Sequence, residues 1–296
     1  MIVLLLLIAA LISGLNHPAP AAAGSPPERV VSLAPSVTET VFALGLGHKL
    51  VAVTNHCDYP AAAQKLPKTG GFTTPSLEAV LAARPDHVLG VSTATDPVKA
   101  REMRRLGLPV TLFSVGSVND IFNSIKGIAR LLGKPAAGED LVQKIFLQID
   151  GVKKRVAGRR PRSTLVAVGL RPLVAVGGRN FIDELITLAG GKNIAGGAAQ
   201  PWLNLPYEYV VAKAPEVIIE AGAESPGASS KNWADLNSIP AVRERRVYAY
   251  RSDKMLRPGP RIGEGVEEIA RLLHPECFAP SNTAHAKGRP CEGSRP

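Results

Sequence analysis

The sequence predicts an α/β protein of two similar lobes joined by one long α-helix, each lobe built on a mostly parallel sheet. Three observations carry this expectation. Short β-branched runs alternate with longer amphipathic stretches, pause after residue 113 and resume near 164; such alternation is the pattern of strand–helix–strand units. Between the two series, residues 136–156 carry Leu141, Ile145, Ile149, Val152 and Val156 on one helical stripe,. Finally, the segment from Leu77 to Leu89 is echoed without a gap 130 residues later, from Tyr207 to Ile219. Glu, Val, Ala, Pro, an acid and aliphatic positions coincide, as in two lobes of one plan.

The elements follow in order. Residues 2–12 are almost purely apolar but too few for a membrane span of about 20 residues,. Pro18, Pro20 and Ala21-Ala22-Ala23-Gly24 follow. This predicts a secretory leader over 1–23, cleaved near Ala23, and an exported, soluble mature chain. No Cys follows the apolar run, so a lipid anchor is not expected. Residues 24–134 form the first lobe, with strands over 29–33, 50–54, 87–91 and 110–113 and helices over 38–44, 77–84 and 98–106. Residues 135–160 are the connecting helix, whose stretch over 136–156 is preceded by Pro135, bracketed by Gly138 and Gly158, and weakened at Gly151 by about 1 kcal/mol relative to Ala,. Residues 161–278 are the second lobe, with strands over 164–168, 173–176, 217–220 and 247–250 and helices over 182–189 and 207–213. Pro85 and Pro215 each stop a helix before the next strand. Both lobes are therefore expected to be Rossmann-like. Residues 279–296, with Pro280, Gly288, Pro290 and Pro296, are expected to be disordered,.

Composition narrows the function. A chain of 296 residues with 45% hydrophobic and 20% charged residues folds as an ordinary globular protein, of about two domains,. The net charge of +10 raises nucleic acid as a partner. No basic run is interleaved with aromatics, and the densest cluster, Lys153 to Arg162, falls at a helix end, so nucleic acid is not expected. Cys57, Cys277 and Cys291 allow one disulfide and one free thiol in an exported protein,; spacing leaves the pairing open. His56-Cys57-Asp58 has no CxxC or HxxxH partner, so no structural metal site is expected. A GxSxG elbow, a P-loop and an HExxH motif are all missing, which argues against an exported hydrolase. Gly45-Leu46-Gly47 and Gly177-Gly178 read as turns rather than phosphate cradles.

The run Arg29-Val30-Val31-Ser32-Leu33-Ala34-Pro35-Ser36-Val37-Thr38-Glu39, then Cys57-Asp58-Tyr59-Pro60, then Leu77-Glu78 through Pro85-Asp86, resembles the periplasmic substrate-binding proteins of ABC importers for cobalamin, haem and iron–siderophore complexes. Pro201-Trp202 and Arg257-Pro258-Gly259-Pro260-Arg261 extend the resemblance into the second half. It implies a ligand cleft between the lobes, a monomeric binding protein rather than an enzyme, no catalytic cofactor, and delivery to a membrane permease. The likeness is greatest to cobalamin-binding members; haem or a ferric siderophore is the alternative cargo.

By that likeness, Ser36, His56, Phe72, Trp202, Asp253 and Arg257 fall at ligand-contacting positions. Phe72 and Trp202 each stand six residues before a repeat glutamate, one per lobe. A corrin or porphyrin is a broad plate with polar groups at its rim. Facing aromatics suit the plate, and Asp and Arg suit the rim. His56 stands where an aromatic is commoner and suits the axial position of a metal. Glu78 and Glu208 match the positions that dock on permease arginines in relatives. Read from the residues alone, they are also simply acids at helix N-termini, where the helix dipole favours them.

Overall fold

The structure, a computed structural model, describes residues 25–221 and 232–279. The expected leader over 1–23, and all of the expected tail except residue 279, lie outside them.

The first lobe holds β1 (Val30–Ser32), α1 (Pro35–Ala43), β2 (Leu50–Val53), α2 (Ala61–Gln64), α3 (Leu77–Ala82), β3 (His87–Val91), α4 (Pro97–Arg105), β4 (Val110–Phe113) and α5 (Val118–Leu131). Its four strands are all parallel, in the order β2-β1-β3-β4. Successive strand residues face opposite cores: Val88 packs with Val31, Leu33 and Met103, while Leu89 packs with Val30, Ile121 and Ile125. A parallel sheet covered on both faces explains why these strands are apolar runs rather than alternating ones.

The connecting helix α6 (Pro135–Val156) buries Val142, Ile145, Ile149, Val152 and Val156. Gly138 lies inside its first turns, not at its edge, and Gly151 faces outward without interrupting it.

The second lobe contains β5 (Arg162–Leu170), β6 (Leu173–Val176), α7 (Phe181–Leu188), β7 (Gly191–Asn193), β8 (Trp202–Asn204), α8 (Tyr207–Lys213), β9 (Val217–Ala221), α9 (Pro240–Arg243), β10 (Val247–Tyr250) and α10 (Ile262–Leu273). Its sheet is mostly parallel, as expected, with a hairpin added on one side. β7, β5, β9 and β10 are parallel neighbours, matching the order of the first lobe, but β6 folds back on the long β5 and carries β8, both antiparallel. The Arg171-Pro172 corner makes this a hairpin, so no helix separates β5 from β6.

The 130-residue echo is structural. Arg84 and Ala214, which end α3 and α8, both have φ of 46°, and each precedes the proline of the repeat. The following acids do the same work. Asp86 accepts the backbone amides of Glu28 (2.8 Å) and Arg29 (3.0 Å) at the start of β1. Glu216 accepts the Ser163 amide (3.0 Å) in β5, and also Arg160 and Arg162. Burial opposes the charge on Glu216, but the Ser163 amide and the two guanidiniums hold its carboxyl below the usual range,.

One continuous core joins the lobes through α1, α5, α6, α7 and α10, from Val30 to Leu273. Glu184 of α7 also accepts the Val118 amide of α5 at 3.0 Å. Lobes that share a core and a stiff helix resist wide hinge bending. Scattering profiles with and without ligand are therefore expected nearly to superimpose; a large fall in radius of gyration on binding would contradict this reading. No helix among the described residues is long and apolar enough to cross a membrane.

Candidate ligand-binding site

A cavity of about 580 Å³ opens where the two sheets point their carboxyl ends at each other, the usual ligand position in open α/β sheets. From the first lobe come Ser36 after β1, His56 after β2, Thr93 after β3, and Val115 and Gly116 after β4. From the second come Arg179 after β6, Trp202 on β8, and Leu256 and Arg257 after β10. Short loops at strand ends, held by a two-sided core, fix these side chains with little freedom.

Five of the six predicted contacts line this cavity: Ser36, His56, Phe72, Trp202 and Arg257. Phe72 is partly buried and leans on the core, whereas Trp202 is 44% exposed and belongs to no core cluster. Trp202 is held by backbone alone: β8 pairs Trp202 with Val176, and Gly177 donates to the Pro201 carbonyl at 3.0 Å. The two aromatics thus occupy the same repeat position, 130 residues apart, one per lobe.

Asp253 is the exception. It does not line the cavity, because its carboxylate oxygens face Arg257 (2.9 Å) and Arg261 (2.9 Å). Those arginines also reach into the first lobe. Arg261 donates to Glu39 from Nε and Nη2, both at 2.7 Å, and stacks 4.1 Å above the Tyr59 ring,. Arg257 Nη1 donates to Glu39 (2.9 Å) and Asp58 (2.6 Å). The Arg257 hydrogen bond holds the Asp58 carboxyl below its ordinary range, against a smaller opposing effect of burial,. Between these charges the backbone of Gly259 lies on Ser36, where an added Cβ would sit 3.2 Å from the Ser36 Cβ. Two arginines and three carboxylates therefore lock the lobes at one edge of the cleft.

His56 and Cys57 do not act together. The His56 side chain is exposed at the cavity, while Cys57 is a buried free thiol bonded to Thr38 (3.1 Å) and Thr54 (3.2 Å). Cys277 is disulfide-bonded. No group of three or more metal-ligating side chains converges among the described residues.

Glu78 and Glu208 are not among the residues that line the cavity, and each is exposed at the second position of its helix, α3 or α8. Ser76 caps α3 by accepting from Ala79 at 3.2 Å, whereas α8 opens on Pro206 without a side-chain cap.

Residues 30–254 match a family model described as periplasmic binding protein. The chain belongs to that family. Among curated members, it is 29% identical over 248 residues to a vitamin B12-binding protein of Vibrio parahaemolyticus, covering 83% of this chain and 90% of that one. It is 30% identical over 264 residues to a vitamin B12-binding protein of Yersinia pestis, covering 89% and 90%. Among solved structures, the periplasmic vitamin B12 binding protein BtuF of Vibrio cholerae superimposes with a TM-score of 0.76 at 26% identity, covering 86% and 99% of the two chains. The periplasmic heme-binding protein RhuT of Roseiflexus does so with 0.77 at 29%, covering 86% and 100%. The two-lobed fold with a helical strut is thus that of this family of periplasmic binding proteins.

Two residues of the cavity and two of the inter-lobe lock carry no mark of their role in the sequence. Arg179 and Asn180 followed a Gly-Gly pair that reads only as a turn. Glu39 and Arg261 stood inside the motifs that carried the resemblance, but nothing in their local sequence marks them as partners.

Proposed function

We propose that this chain is the exported binding component of an ABC importer, that it captures cobalamin between its lobes, and that it hands the ligand to a membrane permease. The observation that carries the ligand class is the cavity itself. It is largely apolar, open along one edge, and flanked by Phe72 and Trp202 from opposite lobes, which suits a flat macrocycle. The curated vitamin B12-binding relatives favour a corrinoid. In this reading residues 24–134 and 161–278 are the gripping lobes and 135–160 the strut. Ser36, His56, Phe72, Trp202 and Arg257 contact the ligand, and Asp253 positions Arg257 from behind. In this reading the chain acts as a monomeric binding protein rather than an enzyme, and cobalamin is cargo rather than cofactor.

Haem is the second reading, favoured by His56 at the cavity wall and by the heme-binding neighbour. Titration calorimetry with cobalamin, haem and ferric siderophores separates them: a 1:1 heat with cobalamin is expected, and heat with haem alone moves the assignment to haem.

Trp202→Ala is expected to weaken ligand binding by roughly 1–3 kcal/mol, the range of an aromatic anchor. Because Trp202 is half-exposed and packs in no core, the melting temperature of the ligand-free protein should change little. A large drop without ligand would place Trp202 among the structural residues and remove it from the site.

A further inference from the structure

The cavity is lined by two arginines and no carboxylate, but the two arginines are in opposite electrostatic states. Arg257 is already surrounded by Glu39, Asp58 and Asp253. Its charge is spent on the inter-lobe lock. Arg179 is exposed at the cavity and makes no hydrogen bond or ion pair with any other described residue.

Its backbone is not that of an idle surface arginine. Arg179 has φ of 51°, a left-handed conformation that costs a non-glycine residue stability and persists only where the surroundings impose it. They do so here from both sides. On the N-terminal side, Gly177 and Gly178 lie so close to neighbouring carbonyls that a Cβ would approach Gln200 O at 2.1 Å and Gly196 O at 2.4 Å. On the C-terminal side, buried Asn180 is pinned twice: its Oδ1 accepts the Ile182 amide at 2.9 Å and its Nδ2 donates to the Pro201 carbonyl at 3.0 Å. Pro201 leads directly into Trp202. The segment that fixes the aromatic wall thus also fixes an uncompensated guanidinium beside it.

Resting on the reading of the site given above, we propose that Arg179 is its anion-recognition residue, taking an anionic oxygen group at the rim of the bound macrocycle. In a complete corrinoid that group is the phosphodiester of the nucleotide arm; in a porphyrin it is a carboxylate. Arg suits either, because its planar fork pairs two oxygens at once. Arg257, its charge already compensated by three carboxylates, contributes shape and hydrogen bonding instead.

The test compares ligands that share a plate and differ in the anion. Calorimetry on wild type and Arg179→Gln would use cyanocobalamin and dicyanocobinamide, which lacks the phosphodiester. The variant is expected to lose about tenfold or more in affinity for cyanocobalamin, the scale of one charge-assisted hydrogen bond, and less than about threefold for dicyanocobinamide. Arg179→Gly guards against a folding artefact: glycine accepts the left-handed φ without strain, so its melting temperature should equal or exceed wild type while the same selective loss appears. A parallel comparison of haemin with its dimethyl ester reads a carboxylate in place of the phosphodiester, and a loss confined to haemin also upholds the role of Arg179. Equal losses within both pairs, or none, overturn the assignment while leaving the macrocycle site intact. Failure of wild type to bind any of the four overturns the functional reading and Arg179 with it.

Discussion

Glu39→Ala is expected to cost the ligand-free protein about 3–5 kcal/mol of stability, the range for removing one partner of a buried ion pair. Glu39 sits on α1 with a side chain only 1% exposed, and it accepts three hydrogen bonds from two arginines of the other lobe. Without it, the carboxylates left to Arg257 and Arg261 are Asp58 and Asp253, which are 56% and 33% exposed and share their charge with water. The desolvation of the guanidiniums remains while their best-shielded partner is gone. Glu39→Gln, which retains one acceptor, should be milder. Denaturant unfolding reads the loss directly, and a change below about 1 kcal/mol would mean that the lock contributes nothing. Affinity should fall too, because Arg257 would be free to swing from the cavity wall.

The same cluster sets a pH dependence. Asp58 has a depressed pKa in the folded state, so its contribution is complete above the unfolded value of about 3.9 and is lost as pH falls through the lower folded value. Asp58→Asn should therefore flatten the most acidic part of the stability profile. The effect is small, because the carboxylate is more than half exposed and screened.

Much of this architecture was legible because it is written locally. The strands over 87–91, 110–113, 173–176 and 247–250 fall where their β-branched runs begin and end, and α6 follows its apolar stripe. The helices α5 and α10 lie outside the expected set although the sequence carries signals for both. Ser117 and Asp120 form a reciprocal capping box at the head of α5, a pattern visible as Ser-x-x-Asp. Ile262, Val266, Ile269 and Leu273 make a helical stripe on α10. The hairpin β5–β6 is less plainly written, because a β-branched run does not declare the direction of its neighbour; only the short Arg171-Pro172 connection excludes a crossover helix,.

The site divides in the same way. Phe72 and Trp202 could be paired from sequence because a repeat offset places them. The lock could not be read, since Glu39 lies 218 and 222 residues from its arginines and a charged residue within a motif carries no mark of its partner. Trp233 likewise carries no local mark of its role. It is buried, donates to Glu220 at 2.6 Å and packs against Tyr207 at 5.3 Å between centroids, so it anchors α8 from beneath.

That anchoring bears on the largest effect expected here, the loss of uptake when Glu78 and Glu208 are both replaced by Ala. The two carboxylates are exposed, sit at the same position of equivalent helices, and belong to lobes joined by one shared core, which is expected to hold their separation,. Each would meet a permease arginine through a charge-assisted, bidentate hydrogen bond. One exposed pair contributes only roughly 0.2–1 kcal/mol. Two pairs at a fixed separation do more, because once the first has formed the second closes as an intramolecular event, and together they orient the cleft over the translocation path. In vesicles reconstituted with the cognate permease, the double variant should therefore fail to drive uptake, each single variant should be milder, and charge reversal to Lys should be worse than Ala. Calorimetry on the same double variant should return unchanged ligand affinity, since neither residue lines the cavity. Normal transport by the double variant would reduce both residues to helix-start acids serving the dipole. Lost ligand binding would instead mean that the helices bearing them shape the cleft.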